Sequence, residues 1–578
     1  MSSRSGPVHV VTTTRHYKGR TYRTHLLRRS YRQDGKVRNE TLGNLSHLPD
    51  HLIEMIRGSL HGELYAPAGS QFEIITSLHH GHVQAVRVAM KRLGFDSLIA
   101  SRPSRDRDLV IAMVVARILE PHSKLATARW WHTTTLVEDL ALAETNEDDL
   151  YKAMDWLLER QERIEAKLAT RHLDEHALAL YDLTSSYFEG VSCPLAALGH
   201  NRDGKKGKLQ VNHGLLTNGG GCPVAVSVHP GNTGDPKTLM PQVQKIRQRF
   251  GIKNFVLVGD RGMISQKQVD ELKDLEGIDW IAALKPAQIR KLINQREIQW
   301  GLFDERNFVE ITHPDYPGER LVVCRNPLMA DRRARTRQSL LEATGQELEL
   351  VRRMVERGDL RGQDEIGVRV GRVVNKYKVA KHFALNIDDD SFDFHLLEDR
   401  IAEEAALDGF YVIRTSLPAE RLDAADTVRG YKQLSNVERA FRSLKTIDLK
   451  VRPIHHRLEE RVRAHIFLCM LAYYVEWHML EAWRGMLFSD EDQEAKKTRD
   501  PVAPAKRSAE ALRKVHSHTL DDGTEVHSFQ TLLKELSTIV RNVCRRKQSS
   551  KSEPTFSITT LPNEQQQKAV DLLAAIKV

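Results

Sequence analysis

Two aspartates are each delivered by an apolar stretch: Asp182 closes that of LALYDLTSS and Asp260 that of FVLVGDRG. Open α/β sheets build their sites at strand ends. A carboxylate buried there unpaired is costly, so each needs a cation, a set of hydrogen bonds or exposure to water. Taken singly, each reads better as a turn or helix N-cap aspartate. A third carboxylate, Glu438, lies in YKQLSNVERAFRSLK. On a helix, Tyr431, Leu434, Glu438, Arg442 and Lys445 are three or four residues apart and share one stripe. Alone, that stripe is a weak surface ion pair between Glu438 and Arg442. Together, three carboxylates on an α/β core suit two Mg²⁺ ions, which take carboxylate oxygens and keep places for water and phosphate. Paired ions can activate the attacking oxygen and stabilise the leaving oxygen of a phosphodiester. Arg439, Arg442 and Lys445 are the cations of this helix expected to hold a phosphate backbone.

The elements that must position these groups follow from periodicity. ALALYDLTSSYF and KLQVNHGLLTNGGGCPVAVSVHPGN read as three strands in hairpin style, with Asn218–Gly221 as a turn. TLMPQVQKIRQRFG is a helix closed by Gly251, NFVLVGDRG a short buried strand, ISQKQVDELKDLEG a helix and WIAALK a strand. The result is a mixed α/β core. Residues 286–405 interrupt it with strand-like text (NFVEIT, RLVVCRN, KHFALNI, DFHLL) and a basic helix. DGFYVIRTS and a long helix from Ala424 then resume it. Upstream, residues 1–60 read as short strands around turns, Asp34-Gly35 being a hairpin signal. Residues 61–173 read as helical, with DLYKAMDWLLERQERIEAKLATRHL as one long amphipathic helix. Residues 406–485 complete the core, and 486–578 form a polar linker and a helix-capable tail.

Composition narrows the partners. The 578 residues carry 86 Lys and Arg against 77 Asp and Glu, a net charge of +9. The excess is uneven. Residues 1–50 hold ten Lys and Arg against Asp34, Glu40 and Asp50, and residues 425–465 hold ten against five. Such patches suit a polyanion such as DNA as well as they suit a solvated basic face. The longest apolar run, near Ile466–Val475, is far short of the ~20 residues that span a bilayer. The N-terminus lacks an apolar signal core. A soluble protein that is not secreted, in a reducing cytoplasm, is the expectation. The five cysteines are scattered without a C-x-x-C pair, against a disulfide framework or a zinc ribbon.

Taken as a set, YDLTSSYF, LLTNGGGCPVAVSVHPGNTGDPKTL, VGDRGM and the DGFYVIRTS strand before YKQLSNVERAFRSLK resemble the DDE transposases of bacterial insertion sequences. The likeness spans roughly residues 175–480. In particular it is to the group with an RNase H-like core, a β-rich insertion and a Y-x2-R-x3-E-x6-K helix motif. Tyr431, Glu438 and Lys445 match that spacing, with Leu434 in place of the arginine. The resemblance implies an RNase H-like mixed-sheet catalytic core, a helical N-terminal DNA-binding region and a helical C-terminal tail. It implies Asp182, Asp260 and Glu438 as the metal-binding catalytic triad, and Tyr431 and Lys445 as contacts to the transposon-end phosphates. Two Mg²⁺ ions are expected, with Mn²⁺ as a substitute. The implied partners are double-stranded DNA, as terminal inverted repeats and as target, and a second copy of the chain at paired ends. An inactive, transposase-derived DNA-binding protein and an RNase H-like nuclease without strand transfer are the alternatives.

Other motifs are weaker. HLDEH, His172 to His176, has the inverted zinc-protease spacing but only three fixed positions. Gly199–Lys206 nearly reads as a phosphate loop, yet leads into a strand, and is better read as a basic surface loop near DNA. His455 and His456 are expected at DNA or solvent. Trp280 and Trp300 could stack on a flipped base but are better read as core.

Overall fold

A computed structural model of the chain describes residues 6–33, 35–63, 72–295, 298, 303, 307–489, 495, 498–503, 507–546 and 555–577. Two compact units emerge, residues 1–77 with 541–560, and residues 78–540 with 561–578.

In the first unit, strands Val8–Tyr17, Arg20–Gln33 and Lys36–Asn44 form an antiparallel meander, with helix Asp50–Leu60 after it. Lys18 and Gly19 both have positive φ, 47° and 73°, as the tightest hairpin turns require. The second hairpin pairs Gln33 with Lys36; Asp34 itself lies outside the described residues. A further sheet joins Phe72–His79, Val540–Arg546 and Phe556–Thr559. The N-terminal region is therefore stranded before it is helical, and the C-terminal tail contains strands as well as helices. The β-branched run VHVVTTT favours the pleat over the helix.

In the second unit, helices Gly81–Arg92, Arg105–Leu119 and Glu147–Leu158 lead to α1 (Gln161–His172). The long helix expected from Asp149 to Leu173 is two helices, broken at Glu159 and Arg160. There the Arg160 guanidinium folds back over the Trp156 ring, 3.8 Å from its centroid, and donates to the Trp156 carbonyl at 2.8 Å. The core sheet has eight strands: β1 (Leu178–Tyr187), β2 (Gln210–Asn218), β3 (Pro223–Pro230), β4 (Phe255–Val258), β5 (Ile278–Ala283), β6 (Phe308–Ile311), β7 (Arg320–Arg325) and β8 (Phe410–Thr415). Their order is β6-β7-β8-β5-β4-β1-β2-β3. β1, β2 and β3 are antiparallel, while β4 and β5 run parallel to β1. Helices α2 (Pro236–Gln244) and α3 (Gln266–Lys273) make the connections. This 3-2-1-4-5 arrangement is RNase H-like, extended at one edge by β8, β7 and β6.

The segment between β7 and β8 departs from the expected β-rich insertion. Its bulk is two helices, α4 (Pro327–Glu356) and α5 (Gln363–Tyr377), beside one hairpin of five-residue strands. Leu341, Leu348, Val351 and Val355 recur at helical spacing and pack with Ile366, Val370, Phe383 and Phe392 in a separate apolar cluster. The strand text of NFVEIT and RLVVCRN belongs to β6 and β7 of the main sheet.

After β8 come α6 (Ala424–Lys432), α7 (Leu434–Arg442), a π turn at Ser443–Ile447, and α8 (Glu459–Ala482). α8 is buried on all sides from Ala464 to Glu476. That burial explains the apolar run near Ile466–Val475, which lacks a solvent face. Among the described residues no helix is long and apolar enough to cross a membrane.

Candidate active site

The parallel register of β1 and β4 sets the two aspartates level. Leu178 lies opposite Val256 and Leu180 opposite Val258, where β4 ends. Asp182 and Asp260 each stand two residues beyond that last pair. β1 itself continues to Tyr187, paired with β2 alone. Asp182 is thus mid-strand, where the sequence suggested a strand end; the end of β4 on one side opens the sheet beside it. Asp260 begins a turn, its Oδ1 accepting from the Gly262 and Met263 N–H groups at 3.0 and 2.7 Å. The plain turn-aspartate role is therefore real for Asp260, and it leaves Oδ2 without a hydrogen bond among the described residues.

Burial, and next the Asp260 carboxylate, push the Asp182 carboxyl up to about 7. Glu438 adds to the rise, while the Leu183 N–H, donating to Oδ1 at 2.7 Å, and Arg202 oppose it. Burial and the carboxylates of Asp260, Glu438 and Asp182 likewise push the Tyr431 hydroxyl up to about 12, with Arg261 opposing. The fold therefore brings all three acids and Tyr431 into one electrostatic neighbourhood. Arg202 is held off by Asp235, which accepts from its guanidinium at 2.6 and 2.5 Å. Glu438 is exposed, with no cation within 4 Å among the described residues. The oxygens of the three acids do not all lie within 4.8 Å of one another. An all-oxygen donor set with uncompensated negative charge fits a hard divalent cation.

The helix that carries Glu438 is anchored on the β2–β3 turn. Asn436 Nδ2 donates to the Gly219 carbonyl at 3.0 Å. Gly221 has φ +87°, and a Cβ there would lie 2.8 Å from Asn436 Cβ. Left-handed φ and close approach both exclude a side chain. Gly221→Ala is expected to lower stability by about 1–3 kcal/mol and to reduce DNA cleavage more than DNA binding. A thermal melt and a binding assay on the same sample check this; an unchanged melt would remove the anchoring role.

The single stripe read from sequence is divided. α6 and α7 are separate helices meeting at Gln433, and the π turn rotates the residues beyond Arg442. Glu438, Arg439 and Arg442 face solvent, and neither arginine has a carboxylate within 4 Å among the described residues. Leu434 is in the core, where an arginine would be costly. Lys445, expected at DNA phosphates, is only 9% exposed. Its Nζ lies 2.6 Å from Asp203 Oδ1 and donates to Thr184 Oγ1 at 2.9 Å. Arg452 pairs with the same oxygen of Asp203, and the Tyr187 N–H donates to Oδ2 at 2.9 Å.

Asp203 was invisible in sequence as a site residue. It sits in the Gly199–Lys206 loop, which is no mere basic surface loop: it delivers one buried acid to two cations. Glu476, fully buried, is a second. Its Oε1 accepts from Ser443 Oγ at 2.5 Å, and burial, with Asp448 nearby, holds it well above the usual carboxylate range. A lone glutamate beside an apolar helical run was its only sequence signal.

The weaker motifs resolve differently. α1 ends at His172, while His176, at φ +67°, sets its Nδ1 2.9 Å from the Arg421 guanidinium, so H-x-x-E-H does not assemble. His456 packs edge-on to Tyr151 and beside His465, and burial pushes it down to about 3; only His455 of the pair is exposed. Trp280 is core at 3% exposure; Trp300 lies outside the described residues.

Residues 194–475 match the family model of the transposase DDE domain, and residues 10–64 match the N-terminal domain of the IS1634 family transposases. The first match contains Asp260 and Glu438 and begins just after the strand of Asp182. No curated protein matches. Among solved structures, a cryo-EM piggyBac transposase synaptic complex with hairpin DNA is similar over 82% of this chain and 88% of that one, at 10% identity and a TM-score of 0.32, too slight a likeness to bear on the fold. With more than half of its residues covered by the two family models, the chain belongs to the DDE transposases of bacterial insertion sequences.

Proposed function

We propose that Asp182, Asp260 and Glu438 are the catalytic, metal-binding triad with which this transposase cleaves element ends and joins them to target DNA. DNA cleavage and strand transfer are the activity of the family, which uses divalent metal ions. The observation that carries the assignment is the level register of Asp182 and Asp260, with Glu438 raising the same carboxyl. The three would hold two Mg²⁺ ions, with Mn²⁺ as a substitute. Bound there, such ions supply Lewis acidity to the scissile phosphate and to the attacking oxygen. The chain's own part is positional. The register of β1 on β4 fixes two carboxylates, the Gly219–Gly221 turn fixes the helix of the third, and Asp203 fixes the π turn after it. Arg439 and Arg442, exposed beside Glu438, bind the DNA backbone, and Tyr431 lines the same site. Lys445 reaches a phosphate only by leaving Asp203, so its first role is to tie the π turn to β1.

Two chains acting at paired terminal inverted repeats, on chromosomal DNA in the bacterial cytoplasm, complete the reading. Incubation with the native element ends, a target duplex and Mg²⁺, resolved on a denaturing gel, tests it. Nicked ends with free 3′-hydroxyls and joined products are expected. Nicks without joining would favour the nuclease reading, and binding without nicks the inactive one.

The N-terminal meander supplies a second DNA contact. Arg15, Lys18, Arg20 and Arg23 are all exposed on its first hairpin, interleaved with exposed Tyr17 and Tyr22. Replacing the four cations by alanine is expected to flatten the slope of log binding constant against log salt by about 2–4, at roughly 0.9 for each phosphate no longer neutralised. An unchanged slope would remove this hairpin from the interface.

A further inference from the structure

His172, Cys222 and His478 converge from three separate elements: the end of α1, the β2–β3 turn and the last turns of α8. One ring nitrogen of each histidine and the Cys222 Sγ all lie within 4.8 Å of one another, the one such group of three among the described residues. Cys222 Sγ is 3.9 Å from His478 Nε2. A zinc ion with a sulfur ligand at ~2.3 Å and a nitrogen ligand at ~2.1 Å in tetrahedral geometry holds those two atoms about 3.6 Å apart, so the observed spacing is close to that of two ligands of one ion.

The surroundings suit a soft or borderline metal. Cys222 is fully buried and His478 nearly so, while His172 keeps a partly exposed edge. Burial holds both imidazoles neutral, His172 down to about 4 and His478 to about 3. The His172 Nε2 is 3.1 Å from the Tyr474 hydroxyl, and the rings of Tyr474 and Trp477 wall His478 edge-on at 4.8 and 4.9 Å. Cys222 is aimed by its backbone, its N–H donating to Asn218 Oδ1 at 3.0 Å just after Gly221 turns the chain. Two imidazoles and a thiol select zinc-like ions over Mg²⁺, which prefers oxygen.

We infer that His172, Cys222 and His478 form a metal site of the zinc class, distinct in ligand chemistry from the carboxylate triad, that staples the helical region to the core sheet and the central helix. Binding would release the Cys222 thiol proton to solvent, leaving a thiolate ligand and two neutral imidazoles, with a fourth position open on the His172 side. The competing view is a core contact: a thiol against an imidazole, and a histidine hydrogen-bonded to tyrosine.

The test is a Co²⁺ titration of the full-length chain in excess Mg²⁺. Expected is a thiolate-to-cobalt charge-transfer band that saturates at one equivalent and is displaced by Zn²⁺. Cys222→Ser should abolish the band, and His478→Asn should weaken it. Cys469→Ser, another buried thiol on α8, should keep it. Because carboxylates give no such band, ions held by Asp182, Asp260 and Glu438 do not contribute, and loss of cleavage in a triad variant leaves the readout unchanged. No band in the unaltered chain, or a band that survives Cys222→Ser, overturns the site.

Discussion

Asp182→Asn is expected to abolish DNA cleavage, by ~10³-fold or more, and at the same time to stabilise the metal-free fold. The loss of cleavage comes from removing one oxygen ligand and one negative charge from the triad. The gain in stability comes from electrostatics. Burial and the carboxylates of Asp260 and Glu438 raise the Asp182 carboxyl from 3.8 to about 7. The folded chain therefore binds that proton more tightly than the unfolded chain. Its contribution to stability is fully present below about pH 4 and is lost as the pH rises through about 7. The charged form costs on the order of 4 kcal/mol above that range. The amide keeps the Leu183 N–H bond and has no charge to lose. In EDTA, the melting temperature of the variant should exceed that of the unaltered chain at pH 8, and the gap should narrow by pH 5 and close below about pH 4. A variant that melts lower at pH 8, or that still cleaves, would remove Asp182 from the site. A catalytic cluster that holds like charges together is strained until a cation joins it, and the strain is readable as a pH-dependent melt.

Asp203→Ala should have the larger effect on folding. Asp203 is 1% exposed at its side chain and faces Lys445 and Arg452 together. Removing it leaves two cations in a poorly solvated place, at a cost of about 3–5 kcal/mol. Burial already holds the Lys445 ammonium below its usual range, and Asp203 is the group that opposes this. Without it, Lys445 must shed its proton or swing out, and the π turn beyond Glu438 loses its tie to Thr184 of β1. A second substitution, Lys445→Met, should recover part of the loss in a double-mutant cycle by removing one stranded charge. Denaturant unfolding of the single and double variants measures both. A loss under about 1 kcal/mol would show the trio to be solvent-screened. Asp203→Asn separates structure from chemistry: the Tyr187 N–H keeps an acceptor, so folding should suffer less, while cleavage falls with the position of the helix. Both variants should still bind a divalent metal ion at the proposed carboxylate triad.

The acids of the proposed site were legible as candidates because each reports itself locally. An apolar run ending in aspartate is a feature of eight or nine consecutive residues, and Glu438 sits in a motif of fifteen. The core strands were legible for the same reason, since alternation and short apolar runs are local. The division of one helix into α6, α7 and a π turn was not, because it depends on what Leu434 and Lys445 bury against. Nor was the helical insertion, where strand-like text at 308–325 joined a sheet whose next strand begins at Phe410.

By itself the sequence determined the class of chemistry: carboxylates on apolar strands, cations beside them, a basic first fifty residues and a family motif. These depend on residue type and short spacing, which the chain carries whatever its fold. The tertiary structure alone decided which charges meet. It placed Asp182 level with Asp260 through the register of β1 on β4. It paired Lys445 with Asp203 across some 240 residues and drew His172, Cys222 and His478 together across about 300. Such pairings are set by strand register and helix rotation, and their strength by burial, and no local pattern encodes either.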